Sequence, residues 1–160
     1  MATKQTDTAP LYALLDSVAD PEIPVLTLRD LGVLRDISVI NDEIRVTITP
    51  TYAGCPAVEA MRADIETVLR QAGYQHVSVR QRLSPAWTTD WMSEEGRQKL
   101  REYGIAPPAC RSDQKITTAI ACPQCGSEDT RKISEFGSTA CKALYQCQSC
   151  REPFDYFKCL

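Results

Sequence analysis

The C-terminal part of the chain contains Cys122-Pro-Gln-Cys125-Gly126 and, 21 residues later, Cys147-Gln-Ser-Cys150. Two cysteines three positions apart can bind one ion from a tight turn, and Gly126 allows the backbone to curl around the sulfur atoms. Two such turns supply the four thiolates of a closed tetrahedral site. Strand-like segments lie between and after the turns, at 131–136, 143–145 and 154–157. The spacing therefore predicts a β-rich zinc ribbon over residues 119–160.

The ligand set favours a structural metal, because four sulfur atoms leave no open position for a substrate water. A ferric tetrathiolate uses similar turns, and colour separates the two, since zinc sites are colourless and the ferric site is red. A unit of about forty residues buries little apolar surface, so the metal would contribute folding energy directly. Residues 119–160 contain five basic and five acidic side chains. This balance argues against nucleic-acid binding and favours a stabilising or protein-docking role.

The upstream sequence predicts an α+β layer. The predicted elements, in chain order, are a helix at 11–18, strands at 34–40 and 43–49 joined by an Asn41-Asp42 turn, a helix after Pro56 that ends near Gly73, and a strand at 76–83. The order helix, strand, strand, helix, strand indicates a small two-layer domain over residues 1–85. Residues 86–118, with a short helix at 93–103, are predicted to form a connector between this domain and the ribbon.

The composition is that of a globular protein, with 43% hydrophobic and 24% charged residues and a net charge of −3. No apolar run is long enough to span a membrane, and the polar N-terminus lacks the apolar core of a signal peptide. We therefore expect a cytoplasmic location without membrane contact. Seven of the eight cysteines lie from Cys110 onward. In a cytoplasmic protein they favour metal binding or redox chemistry over structural disulfides.

The isolated Cys55 is the main candidate outside the ribbon. Pro56 suits the first helical position, which would place Cys55 at the helix N-cap and lower the pKa of its thiol. Thr51 supplies a hydroxyl in the same loop, and Asp20 and Glu22 could add two carboxylates if the fold brings them near. The alternatives are an inert buried thiol and a solvated acidic turn.

The remaining cysteines are less informative. Cys141 precedes the second ribbon turn by six residues. It could be a buried apolar side chain, a redox thiol or a ligand that exchanges with the ribbon site. For Cys110 and Cys159 we expect no function.

Three segments resemble the metal–sulfur cluster biosynthetic family, which was long catalogued as a domain of unknown function. They are Asp20-Pro-Glu-Ile23, Leu28-Arg-Asp-Leu-Gly32 and Thr49-Pro-Thr-Tyr-Ala-Gly-Cys-Pro56. The likeness covers about residues 9–83 and implies a small α+β fold. It also implies a part in iron–sulfur cluster assembly or delivery, with Cys55 matching the suspected cluster or metal contact of the family.

Four further segments look like the family of PaaD-like subunits of phenylacetyl-CoA epoxidase systems, and extend the likeness to nearly the whole chain. They are Ser84-Pro-Ala-Trp-Thr-Thr-Asp-Trp91, Gly104-Ile-Ala-Pro-Pro108, Gly137-Ser-Thr-Ala-Cys-Lys-Ala-Leu144 and Glu152-Pro-Phe-Asp-Tyr-Phe157. In such systems a di-iron oxygenase forms the ring epoxide and a flavin and [2Fe–2S] reductase supplies electrons. The chain has one histidine and no Glu-x-x-His pair, so it cannot build a carboxylate-rich di-iron centre itself.

The resemblance implies an accessory protein that is not an enzyme by itself. The leading hypothesis is delivery of iron or an iron–sulfur cluster to the reductase or the oxygenase subunits, with Cys55 as transient ligand and Asp20, Glu22 and Thr51 assisting. A homodimer would offer two Cys55 thiolates to one cluster. The alternatives are a structural or regulatory subunit of the epoxidase complex, or a thiol or metal electron-transfer component that uses Cys141.

Overall fold

The computed structural model describes residues 7–110 and 119–160, and the chain forms two compact units, Met1–Ala86 and Trp87–Leu160. The first unit contains α1 (Ala9–Leu15), α2 (Leu28–Leu31), β1 (Leu34–Ile40), β2 (Glu43–Ile48), α3 (Val58–Gln71) and β3 (Val77–Gln81). The second contains a 3-10 turn (Thr89–Trp91), α4 (Glu94–Tyr103), β4 (Thr130–Ser134), β5 (Lys142–Cys147) and β6 (Pro153–Phe157). The predicted α+β class with a β-rich C-terminal part is confirmed.

The sheet of the first unit has the order β1-β2-β3. Strands β1 and β2 are antiparallel and joined by Asn41 and Asp42, which both have positive φ angles, of 51° and 63°. Such angles suit a two-residue hairpin, so the predicted turn is confirmed. Strand β3 pairs with β2 in parallel, which requires a crossover connection, and α3 supplies it.

The core of the first unit lies between its sheet and α3. Alternate residues of β2 are buried, and α3 buries one face along its length. The innermost side chains of these two elements, all at most 2% exposed, are Ile44, Val46, Ile48, Met61, Ile65 and Leu69. Apolar residues repeat every two positions in β2 and about every 3.6 positions in α3, so each element has one apolar face, and these faces pack together.

The short helix α2 was not predicted, because four residues are too few to show helical periodicity. It is held at its start by a capping box. The hydroxyl of Thr27 accepts a hydrogen bond from the Asp30 amide at 3.0 Å, and the Asp30 carboxylate accepts one from the Thr27 amide at 3.1 Å. Gly32 ends the helix with φ 76°.

The second unit is built on an antiparallel sheet with the order β4-β5-β6. The predicted helix at 93–103 corresponds to α4, which begins after the Ser93 cap and ends at Gly104. Ala106 pairs with β6 through two backbone hydrogen bonds of 2.9 Å, to Asp155 and from Phe157. Residues 87–110 therefore pack with the ribbon, and do not form a connector of their own. The other predicted connector residues, 111–118, lie outside the described part of the chain.

None of the helices in the described residues is both long enough and apolar enough to cross a membrane.

Candidate metal centre and thiol loop

Two backbone turns hold the four ribbon cysteines. In the first turn the Gly126 amide donates to the Cys122 carbonyl at 2.8 Å, and Gly126 has φ 76°. In the second turn the Cys150 amide points at the Cys147 sulfur, 3.4 Å away. This geometry confirms the role predicted for the glycine, because a positive φ lets the chain reverse within the turn.

The four sulfur atoms of Cys122, Cys125, Cys147 and Cys150 lie within 4.8 Å of one another. The Cys122–Cys150 pair is 3.7 Å apart and the Cys125–Cys147 pair 3.5 Å. Tetrahedral zinc with Zn–S bonds of about 2.3 Å places its sulfurs about 3.8 Å apart, so the observed spacing fits a zinc ion. Zinc bound here would join the two turns as a structural centre.

The protonation of these sulfurs also favours a cation. Backbone hydrogen bonds, above all from the Cys150 amide, lower the pKa of Cys147 to about 6. Although the Glu152 amide acts in the opposite direction, desolvation and the neighbouring cysteine sulfurs raise the pKa of Cys150 to about 12. These opposite shifts indicate that the four sulfurs do not all ionise without a cation, and a divalent ion bound here would supply the positive charge that four thiolates need.

Cys141 lies away from this centre. It precedes β5, whereas the ligand Cys147 is the last residue of that strand. Six residues of extended chain span about 20 Å. Cys141 is 4% exposed, and the Thr139 hydroxyl lies 3.0 Å from its sulfur. This placement contradicts ligand exchange with the ribbon and agrees with the prediction of a small buried side chain.

Cys55 does not occupy the predicted cap position. Helix α3 begins at Val58 with Ala57 as its N-cap, so Cys55 lies two residues before the cap and Pro56 is outside the helix. The sulfur still receives hydrogen bonds from the Ala57 amide and the Tyr52 hydroxyl. The side chain is 7% exposed.

The predicted reactive thiolate is also wrong for this structure. Burial is the main cause that raises the pKa of the Cys55 thiol, and the negative charges of Glu22 and Asp20 raise it further. These effects exceed the contributions of the Ala57 and Tyr52 hydrogen bonds, which lower it. The sequence suggested helix-end amides but could not show the depth of burial, which decides the sign of the shift.

The two predicted carboxylates do lie close enough to Cys55 to act on its charge, but they differ in role. Asp20 is 5% exposed, and its Oδ1 accepts hydrogen bonds from the amides of Glu22 and Ile23, both at 2.8 Å. It thereby closes the turn that carries Glu22. Glu22 is half-buried, which leaves part of its side chain accessible.

Two threonines flank the Cys55 loop. Thr51, the predicted assisting residue, is half-buried in the loop. Thr49 is 1% exposed, and its hydroxyl has no hydrogen-bond partner among the described residues. A buried hydroxyl without a hydrogen-bond partner costs free energy of folding. The sequence showed that Thr49 is close to Cys55 in the chain, but it could not show this burial.

Cys110 and Cys159 are joined by a disulfide that spans 49 residues. From the sequence we expected no function for either of these two cysteines. For the cysteines as a group we expected metal binding or redox chemistry, and no structural disulfide. The pair was missed because the two residues lie on opposite sides of the ribbon sequence. Only the packing of the 105–109 segment along β6 brings them together.

The fold and the four-cysteine centre define an iron–sulfur cluster assembly-type domain joined to a zinc ribbon, and family models match both parts. The model described as iron–sulfur cluster assembly protein matches residues 9–80, and the PaaD zinc beta ribbon domain matches residues 104–158. Both resemblances inferred from the sequence are confirmed.

Two curated relatives resemble the chain. An Escherichia coli protein named as a component of 1,2-phenylacetyl-CoA epoxidase is 52% identical over 94% of this chain and 92% of its own length. An iron–sulfur protein maturation auxiliary factor of Porphyromonas gingivalis is 37% identical over 56% of this chain and 87% of its own length. The chain belongs to the PaaD family of phenylacetyl-CoA epoxidase components.

Solved structures match the assembly-type fold. A domain of unknown function from Bacillus anthracis has a TM-score of 0.53 and 29% identity, covering 57% of this chain and 88% of its own. A conserved hypothetical protein from Thermotoga maritima has a TM-score of 0.50 and 28% identity, covering 62% of this chain and 98% of its own.

Proposed function

We propose that the protein is an accessory component of bacterial phenylacetate catabolism that matures the phenylacetyl-CoA epoxidase system by delivering iron or an iron–sulfur cluster. Cys55 is the transient ligand. The observation that supports this proposal is that the buried Cys55 thiol lies within electrostatic reach of the carboxylates of Glu22 and Asp20. The family and the names of the two relatives supply the biological setting.

A cation reverses the electrostatics of this loop. Without one, the two carboxylates and the burial keep the proton on the Cys55 sulfur. A bound iron ion is attracted by the same carboxylates and displaces that proton, so its binding releases a proton and strengthens as the pH rises. One thiolate per chain holds a metal weakly compared with a four-cysteine cage. Weak binding suits a protein that must hand its cargo on.

The residues around Cys55 have different roles in this proposal. Asp20 positions the turn through its two backbone hydrogen bonds. Glu22 is the favoured candidate for an oxygen ligand, because its charge acts on Cys55 and part of its side chain is accessible. Thr51 offers a hydroxyl on the Cys55 side of the loop. A homodimer would bring two Cys55 sulfurs to one cluster.

The ribbon serves in this proposal as a folded docking module, with zinc as a structural ion. Its closed ligand set leaves no position for cargo. The clients are proteins of the epoxidase system, and a reductase that carries a [2Fe–2S] cluster is the first one to test. The protein does no chemistry on the aromatic substrate in this scheme, and it acts in the cytoplasm where such a client would be assembled.

The experiment compares the wild type with Cys55→Ala and with the matched control Cys141→Ala, each purified without oxygen. Metal and sulfide are measured, and the reductase is isolated from cells that contain each variant. We expect zinc in all three proteins, additional iron in the wild type and the control, and a cluster-poor reductase with Cys55→Ala alone. A fully loaded reductase in the presence of Cys55→Ala refutes delivery through this residue.

The alternative is a structural or regulatory subunit of the epoxidase complex, which the name of the Escherichia coli relative favours. Such a subunit should co-purify with the oxygenase in fixed stoichiometry, and Cys55→Ala should leave that stoichiometry unchanged. A delivery protein should instead be absent from the finished complex. Quantitative gel filtration of the co-expressed proteins distinguishes the two.

A further inference from the structure

The Cys110–Cys159 disulfide lies apart from both sites described above. Neither sulfur belongs to the four-cysteine cluster, and both cysteines are in the second unit. Cys159 is exposed and Cys110 is half-buried, so the Cys159 residue is the more solvent-accessible end of the disulfide.

Each sulfur of the pair has its own hydroxyl neighbour. The Thr89 hydroxyl oxygen is 3.6 Å from the Cys110 sulfur, and the Tyr156 hydroxyl oxygen is 3.4 Å from the Cys159 sulfur. A disulfide sulfur carries no hydrogen, so the hydroxyls are the donors. The same hydroxyls can stabilise a thiolate when the bond opens, because hydrogen bonds to charged sulfur are stronger than those to neutral sulfur.

The Tyr156 hydroxyl is held in place for this role. It accepts a hydrogen bond from the Ala109 amide at 3.2 Å, which leaves its own hydrogen available to the Cys159 sulfur. Burial raises the pKa of the Tyr156 phenol, so the group remains a donor at neutral pH.

The surrounding segment does not depend on the disulfide alone. Ala106 is fixed to β6 by its two backbone hydrogen bonds, and the Arg97 guanidinium donates to the Pro108 carbonyl at 2.8 Å. Opening the disulfide therefore leaves the 105–109 segment in place. The last two residues change more, because beyond Lys158, whose amide donates to the Cys141 carbonyl at 3.0 Å, the remaining backbone hydrogen bond in the described residues is that of 3.2 Å from the Thr89 amide to the Leu160 carbonyl.

We propose that Cys110 and Cys159 are a redox-active pair, which exchanges between disulfide and dithiol with glutathione-type thiols and thereby fastens or releases the C-terminal end of the chain. One glutathione thiolate attacks the Cys159 sulfur, forming a mixed disulfide and releasing the Cys110 thiolate. A second glutathione thiolate attacks the glutathione sulfur of that mixed disulfide. Glutathione disulfide leaves, the two protein thiolates take up protons from water, and two electrons have passed to the protein.

The test titrates the full-length zinc protein with glutathione buffers from reducing to oxidising, followed by acid quenching, alkylation and peptide mass spectrometry. We expect Cys110 and Cys159 to change together in one two-electron transition while the zinc-to-protein ratio stays constant. The proposal is overturned if the two stay dithiol in every buffer, if they stay joined as a disulfide in every buffer, or if zinc leaves in step with their reduction.

Variants sharpen the result. Cys110→Ser leaves the exposed Cys159 without its resolving partner, so it should accumulate a mixed disulfide with glutathione. The control Cys141→Ser should titrate like the wild type, and its failure to do so would mean that the pairing involves Cys141. Tyr156→Phe should slow the second step, release of the Cys159 thiolate from the glutathione mixed disulfide, about fivefold, the effect of losing one hydrogen bond to sulfur. An unchanged rate rejects the role of this hydroxyl.

Hydrogen exchange reports the structural consequence. Reduction should speed exchange of the Thr89 amide, whose acceptor is the Leu160 carbonyl, and leave the Phe157 amide protected by Ala106. Equal exchange of the Thr89 amide in both redox states overturns the fastening of the C-terminus.

Discussion

Replacement of Cys147 by serine should unfold the ribbon, whereas replacement of Cys141 by serine should not. Both cysteines are buried, Cys141 just before β5 and Cys147 as its last residue, but only Cys147 lies among the other ligand sulfurs. The buried cluster around the turns contains two large aromatic side chains, Phe154 and Tyr156, beside small residues and two of the ligands. Burial of two such rings contributes about 3–6 kcal/mol, whereas structural zinc contributes about 10–16 kcal/mol.

The stability of a small unit is about 5–15 kcal/mol. Loss of the zinc contribution therefore exceeds what the cluster beside the turns can replace, although Phe157 and Leu100 are also fully buried in this unit. Cys141→Ser removes a modest packing contribution, and we expect a cost of about 1–2 kcal/mol with zinc retained. The assay is the zinc-to-protein ratio together with hydrogen exchange of β4, β5 and β6. If the Cys147→Ser sheet stays protected without zinc, or if Cys141→Ser loses zinc, then the reasoning that the metal supplies the folding energy is refuted.

Four further outcomes are expected. Ile65→Ala should destabilise the first unit by about 2–5 kcal/mol in urea unfolding, because the side chain is fully buried, and an effect below about 1 kcal/mol would contradict the core described above. Thr27→Ala should cost about 1 kcal/mol by removing the cap of α2, whereas Thr27→Ser should restore most of it. Alkylation of Cys55 by iodoacetamide should be slower at pH 7 than for an exposed thiol and should rise about tenfold per pH unit, because its raised pKa keeps the thiol protonated. Glu22→Gln should speed that reaction, and no change in rate would show that its charge does not reach the sulfur.

The raised pKa of Cys55 changes how the thiol loop must work. The sequence suggested a thiolate that is ready before any metal arrives. In the structure, burial and the negative charges of Glu22 and Asp20 raise the pKa of this thiol and so favour its protonated form. In the proposed delivery, cargo binding would be coupled to proton release, and a client with a stronger ligand set would take the metal while Cys55 recovers its proton.

Local patterns in the sequence were sufficient for several elements. Alternation in β2, the Asn41-Asp42 turn and the stop of α4 at Gly104 depend on neighbouring residues alone. The same is true of the ribbon site, because each Cys-x-x-Cys turn supplies two of the four sulfur ligands of a tetrahedral ion. The helix α2 escaped prediction, since a capping box over four residues gives no periodic signal. The start of α3 was placed two residues too early, because Pro56 suits a helix start but does not require one.

Residue types and short spacings were enough to show which cysteines could bind a metal and where most strands and helices would form. The partners of residues far apart in the chain became known only from the folded protein. Folding places Asp20 and Glu22 within electrostatic reach of Cys55, brings residues 87–110 into the ribbon unit, and joins Cys110 to Cys159. Burial, which sets the pKa of a thiol, and proximity, which makes a disulfide, both arise from packing between distant segments.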